Sequence, residues 1–122
     1  RFLDHTVETH LETIALNCRG PLVLSHIYGK KMVERGHGGI LLMSSMSGLR
    51  GCAMVTSYAA TQAYNLVLAE GLWDELRENG VDVTACRAGP TRTPDSIRSA
   101  MVNRRPDNRD PEYNIYTIVH GD

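Results

Sequence analysis

A chain of 122 residues, 42% hydrophobic and 22% charged, has the size and composition of a single globular domain. Thirteen Lys and Arg against fourteen Asp and Glu leave a formal charge of −1, which speaks against the basic footprint of a nucleic-acid or anionic-membrane binder. The first predicted element is a long helix over residues 7–34, in which Val7, Leu11, Ile14, Ala15 and Cys18 recur at helical spacing and Leu22, Val23, Ile27 and Met32 continue the face. Gly20-Pro21 interrupts it, and a proline that removes one hydrogen bond predicts a bend in one helix, not two separate helices. Gly36-His37-Gly38-Gly39 ends it. Residues 40–44, Ile-Leu-Leu-Met-Ser, are too short and too continuously apolar for a helix and suit a strand buried on both faces of a parallel sheet. A loop over 45–55 leads to a second helix over 56–79, whose predicted apolar face is Ala59, Ala63, Leu66, Val67, Leu72, Trp73 and Leu76, with Asn79-Gly80 as its stop. Residues 81–86 alternate and are β-branched, predicting a second strand. Beyond Pro94, a short helix over 95–101 and a last strand over 115–119 are expected.

Helix, strand, helix, strand with short connections is the pattern of a parallel α/β sheet with right-handed crossovers. In such sheets ligands gather beyond the carboxyl ends of the strands. The first strand delivers Ser44-Ser45 to that edge, and the second delivers Ala88-Gly89-Pro90-Thr91-Arg92-Thr93. Tyr58 lies thirteen residues after Ser45, in the first turn of the second helix, so a loop of that length can bring phenol and hydroxyl together.

Four separated features now agree: Gly39-Ile40-Leu41-Leu42-Met43-Ser44-Ser45-Met46-Ser47-Gly48, then Tyr58-Ala59-Ala60-Thr61-Gln62-Ala63, then Gly80-Val81-Asp82-Val83, and Asn17 within the first helix. In order and spacing they resemble the short-chain dehydrogenase/reductase family, over roughly residues 1–95. The resemblance implies part of a doubly wound, Rossmann-like domain, its second half, with residues 1–122 forming one partial domain. It implies an alcohol–carbonyl oxidoreductase using NAD or NADP, with a small-molecule alcohol or carbonyl as substrate. Tyr58 would be the acid/base, Ser45 the donor that orients the substrate oxygen, and Asn17 the residue holding a relay water. Tyr58, Gln62, Gly89, Thr91 and Thr93 would meet the nicotinamide end of the cofactor.

The family places a lysine one helical turn after the tyrosine; this chain has Gln62. A free phenol titrates near pH 10, and a cation about 4 Å away is worth up to roughly 4 kcal/mol at an effective dielectric near 20, or about three pKa units. Ala88 also replaces the proline that usually precedes the glycine. No strand–Gly-rich loop–helix unit is present, since Gly36-His37-Gly38-Gly39 leads into a strand. These departures predict that the chain by itself is inactive, and the Arg at position 1 reads as a cut from something longer.

A reading of a different class is a non-catalytic remnant acting through self-association, with helices 7–34 and 56–79 packing against the same pair in a second copy, as the family commonly does. A serine hydrolase is disfavoured, because Met43-Ser44-Ser45-Met46-Ser47 is not a G-x-S-x-G elbow. Cys18, Cys52 and Cys86 are widely spaced, and no histidine pairing has ligand spacing, so neither metal nor disulfide is expected. Free thiols, the absence of an apolar leader and apolar runs too short to span a bilayer together predict a cytoplasmic protein.

Overall fold

The computed structural model describes residues 1–89 and the backbone of residues 116–120. Thr6 opens the first helix by accepting the Thr9 N–H at 3.3 Å on its side-chain oxygen. The helix then runs without a break through α1 (Val7–Ile14), a π-helical turn at Ala15–Arg19 and α2 (Gly20–Arg35). Where the sequence predicts a bend at Gly20-Pro21, the turn before the proline is widened. The Gly20 N–H reaches back five residues to the Ala15 carbonyl, and Pro21, lacking an N–H, enters the first turn of α2 where that loss is tolerated. Gly36 closes α2 in the left-handed conformation at φ 78°.

Strand β1 (Gly38–Ser45) leads through a 3₁₀ turn at Met46–Leu49 to helix α3 (Thr56–Leu76), which tightens at Arg77–Asn79 and ends at Gly80. Strand β2 (Val81–Ala88) pairs parallel with β1, from Gly38 opposite Val81 to Ser45 opposite Ala88, so α3 is the crossover that a parallel pair requires. Strand β3 (Tyr116–His120) adds to the other edge of β2, antiparallel, giving the order β1-β2-β3. The last expected strand is therefore present one residue later than its sequence pattern suggested. The expected short helix over 95–101, with Thr91 and Thr93, lies outside the described residues.

The core sits between the sheet and α3. Leu42, Val81, Val83, Ala85 and Ala69 are buried, with Met32, Val33, Ile40, Leu66, Leu72, Trp73 and Leu76 packed around them. Helix α2 joins the same face at its carboxyl-terminal half, where Gly29 lies against the side chains of Ile40 and Leu76. Two expectations need correction. Strand β1 is not buried on both faces among the described residues: Leu42 and Ser44 point to the helices, while Leu41 and Met43 are 58% and 54% exposed. In α3, Val67 is 68% exposed, and the buried stripe is Ala59, Thr61, Gln62, Asn65 and Ala69. The helix carries apolar residues almost all round, so periodicity could not show which side meets the sheet.

The amino ends of the two parallel strands are held together by glycines. Gly38 N–H donates to the Gly80 carbonyl at 3.2 Å, and Gly80 has a φ of 74° and no room for a Cβ against the Gly36 carbonyl. Gly80→Ala is therefore expected to lower stability by about 2–4 kcal/mol, combining left-handed strain with a backbone collision. An unshifted urea midpoint would contradict this packing.

Candidate active site

Three elements converge at the carboxyl end of β1. The Ser44 hydroxyl, buried, donates to the Gln62 carbonyl of α3 at 2.8 Å, seating the helix on the strand. The Asn65 side-chain amide, one turn further along α3, donates to the Met43 carbonyl of β1 at 3.3 Å and to the Asn17 carbonyl of the π-helical turn at 2.9 Å. The Asn17 side-chain amide in turn donates to Thr61 Oγ1 at 3.0 Å, and the Thr61 hydroxyl donates to the Tyr58 carbonyl at 2.8 Å. Helix, strand and π-turn are thus locked by uncharged hydrogen bonds between buried or part-buried groups.

These residues border a cavity of about 690 Å³. Asn17, Ser44, Tyr58, Gln62 and Asn65 are among its polar lining, and Leu16, Leu24, Tyr28, Met32, Leu41, Met43 and Ala88 contribute to its apolar wall. Among the described residues, no Asp, Glu, Lys, Arg or His lines it. Tyr58 is 41% exposed and also borders a smaller recess of about 150 Å³, where His10 bridges Ser57 Oγ at 2.8 Å and the Phe2 carbonyl at 2.9 Å. Gly48 explains how the loop after β1 reaches α3: a Cβ there would lie 2.8 Å from the Ala63 nitrogen and the Gln62 carbonyl carbon, so only glycine lets the 3₁₀ turn rest on the helix.

Of the residues singled out by sequence, Asn17, Tyr58 and Gln62 meet on this cavity. Ser45 is part-buried and caps the following turn, its Oγ accepting the Ser47 N–H at 3.2 Å; the strand residue that lines the cavity is its neighbour Ser44. Ser44, the last residue of the expected strand, is buried in β1. Gly89 follows β2 directly at the same sheet edge, whereas Thr91 and Thr93 lie outside the described residues. Sequence reasoning missed Thr61 and Asn65. Their only signal was the presence of two polar residues, poor helix formers, within an otherwise favourable helix.

Neither disulfides nor metal clusters enter the site. Cys18, Cys52 and Cys86 are free, and no group of three or more potential metal ligands occurs among the described residues. Partial burial raises the Cys18 thiol above its usual range, so it stays protonated at neutral pH. No helix among the described residues is long and apolar enough to cross a membrane.

Comparison with known proteins fits this geometry. The family model for short chain dehydrogenase matches residues 1–101, and the chain belongs to that family. It is 34% identical over 93 residues to an L-rhamnose 1-dehydrogenase (NAD(P)(+)) of Azotobacter vinelandii, covering 75% of this chain and 36% of that protein. It is 31% identical over 85 residues to a galactitol 2-dehydrogenase of Agrobacterium fabrum, covering 69% and 33% respectively. Among solved structures, a short-chain dehydrogenase from Sphingobium yanoikuyae in complex with NADPH superposes with a TM-score of 0.75 at 30% identity, covering 86% of this chain and 41% of that one. The α/β arrangement is thus part of a Rossmann-type fold, and the chain spans about a third of the length of the curated relatives it matches.

Thr61→Val keeps the side chain's shape and removes the hydroxyl that joins Asn17 to Tyr58. It is expected to cost about 1–3 kcal/mol in denaturant unfolding, since the Asn17 amide loses its acceptor; an unchanged midpoint would show the bridge carries no weight. Iodoacetamide should alkylate Cys18 with a pH midpoint above that of free cysteine, and a midpoint below it would contradict the burial of the thiol.

Proposed function

We propose that this chain carries the proton-transfer end of an NAD(P)-dependent site that interconverts an alcohol and a carbonyl. The observation that supports it most is the meeting of Asn17, Tyr58 and Gln62 on one cavity that runs along β1 to its carboxyl end and is lined by no charged side chain among the described residues, within a chain of this family. The named activities of the relatives, on L-rhamnose and galactitol, suit small polyol or carbonyl substrates here as well. The residues fit the nicotinamide riboside end of the cofactor. Hydroxyl and amide groups without charge suit sugar hydroxyls, and the buried Asn65 Oδ1 has no hydrogen-bond partner among the described residues. Tyr58 and Gln62 would hold that end together with Gly89, which follows β2, and with Thr91 and Thr93 as the resemblance implies. Among the described residues, no glycine-rich turn leads from a strand into a helix to take the diphosphate.

When bound, the cofactor supplies or accepts the hydride. The protein's own part is the proton and the geometry. The Tyr58 phenol, part-exposed at the cavity, exchanges a proton with the substrate oxygen, and the Ser45 hydroxyl, one residue beyond the lining residue Ser44, would donate to that oxygen as charge builds on it. Asn17 keeps its side-chain oxygen and a second carbonyl lone pair for a water, its amide nitrogen being engaged by Thr61. Gln62, buried, can hydrogen-bond to a ribose but brings no cation to the phenol, so the chain's own turnover is expected to be slow.

Saturable quenching of Trp73 fluorescence, or of the cofactor's own emission, is expected on titration with NADH or NADPH; the absence of saturation with both would contradict the proposal. Gln62→Lys should raise turnover at neutral pH by roughly tenfold or more and move the activity profile toward lower pH, because the cation favours phenolate. An unchanged rate would show that proton transfer is not limited at this position.

The exposed apolar side chains of the first helix favour a second reading. Val7, Leu11, Ile14, Leu22, Leu24, Ile27 and Tyr28 all lie open, and Val67 does so on α3. Burial of these faces against a second copy is proposed, in a cytoplasmic setting that suits the free thiols; a stable monomer by sedimentation at micromolar concentration would count against it.

A further inference from the structure

The π-helical turn at Ala15–Arg19 creates a problem that one side chain on another helix solves. Gly20 N–H is committed to the Ala15 carbonyl, five residues back. In a regular α-helix the Asn17 carbonyl would receive the N–H of residue 21, but that residue is Pro21 and has none, so its own helix can offer only the Leu22 N–H, five residues on in the widened register. A carbonyl left without a donor in such a place costs about 1–3 kcal/mol. The donor comes instead from Asn65, forty-eight residues away, at 2.9 Å.

The second hydrogen of the same amide goes to the Met43 carbonyl at 3.3 Å. Asn65 is 2% exposed, and its amide orientation follows from its two partners, because an oxygen in the nitrogen's place would face two carbonyl oxygens. One NH₂ group thereby joins the π-turn to β1 from a position on α3. One turn earlier on α3, Thr61 accepts from the Asn17 side chain. Asn17 is therefore held at backbone and side chain by residues four apart on one helix face.

We propose that Asn65 is the positioning residue for Asn17, supplying the hydrogen that Pro21 cannot give and so fixing where the Asn17 side chain stands at the cavity. The role of Asn17 in proton relay rests on the oxidoreductase reading above; the positioning itself does not. A leucine at 65 would pack with similar volume but leave both carbonyls unpaired. An aspartate would have the same shape and no hydrogen to give. Restoring an N–H at residue 21 should relieve the loss, because it offers the Asn17 carbonyl a donor from its own helix.

The test is a cycle of four ¹⁵N-labelled chains: parent, Pro21→Ala, Asn65→Leu and the double variant, with solvent exchange of the Asn17 side-chain amide read by saturation transfer from water. Exchange is expected to be roughly tenfold faster in Asn65→Leu than in the parent, the loss of about one hydrogen bond of restraint, and to recover most of the way in the double variant. Parental exchange in Asn65→Leu, or a double variant exchanging as fast as Asn65→Leu, overturns the assignment. Should Asn65→Leu fail to fold, Asn65→Ser decides, since its hydroxyl has one hydrogen for two carbonyls. An Asn17 amide exchanging faster than in the parent supports the assignment, and the parental rate overturns it. A parent chain that shows this coupling yet binds neither NADH nor NADPH contradicts the proposed function and leaves the positioning role of Asn65 standing.

Discussion

The hydrogen bond from the Ser44 hydroxyl to the Gln62 carbonyl decides how the rest of the site is arranged. A serine near the end of a strand donates to the backbone of a helix that, by sequence, begins twelve residues later. That contact fixes the height of α3 against β1. Once the height is set, Asn65 falls opposite the Met43 carbonyl, Thr61 falls opposite Asn17, and Tyr58 stands at the sheet's carboxyl edge. Gly48 is part of the same constraint, since the turn between strand and helix must lie on the Gln62–Ala63 backbone with no Cβ in the way.

The hydrophobic core explains stability but not this precision. Leu42, Val83, Ala85 and Ala69 would tolerate a small slide of helix on sheet, because dispersion contacts are individually weak and not directional. Hydrogen bonds among Ser44, Asn65, Asn17 and Thr61 are directional and sit in surroundings that exclude competing water, so a slide would break several at once. The polar half of α3 thus sets the register that the apolar half holds. Gln62 belongs to this neutral design. It is buried on a cavity bordered, among the described residues, by uncharged side chains.

Much of the fold was legible because apolar spacing and glycine stops are local signals. The long first helix, both parallel strands and α3 follow from them, and Gly80 marks the end of α3 as its left-handed φ requires. The π-helical turn was not legible. One extra residue in a turn hardly disturbs the spacing of Ile14, Ala15 and Cys18, and Gly20-Pro21 announces a bend without saying on which side the ladder widens. The exposed face of β1 escaped for another reason: a continuous apolar run does not tell which neighbours are present to cover it. In the site, Tyr58, Gln62 and Asn17 were found by their spacing, while Thr61 and Asn65 were hidden because their shared partner, Asn17, lies more than forty residues away. Ser44 and Ser45 could not be told apart by composition, and strand alternation assigns them different tasks, one facing α3 and the other capping the next turn.

The most direct measurement of the seating of α3 on β1 is a nuclear Overhauser spectrum of the chain. Cross-peaks from the Ser44 β-protons to the Gln62 α-proton and the Ala63 amide are expected, alongside those between Leu42 and Ala85 across the parallel strands. A spectrum in which the Leu42–Ala85 contacts persist while Ser44 sees no proton of α3 would contradict the account.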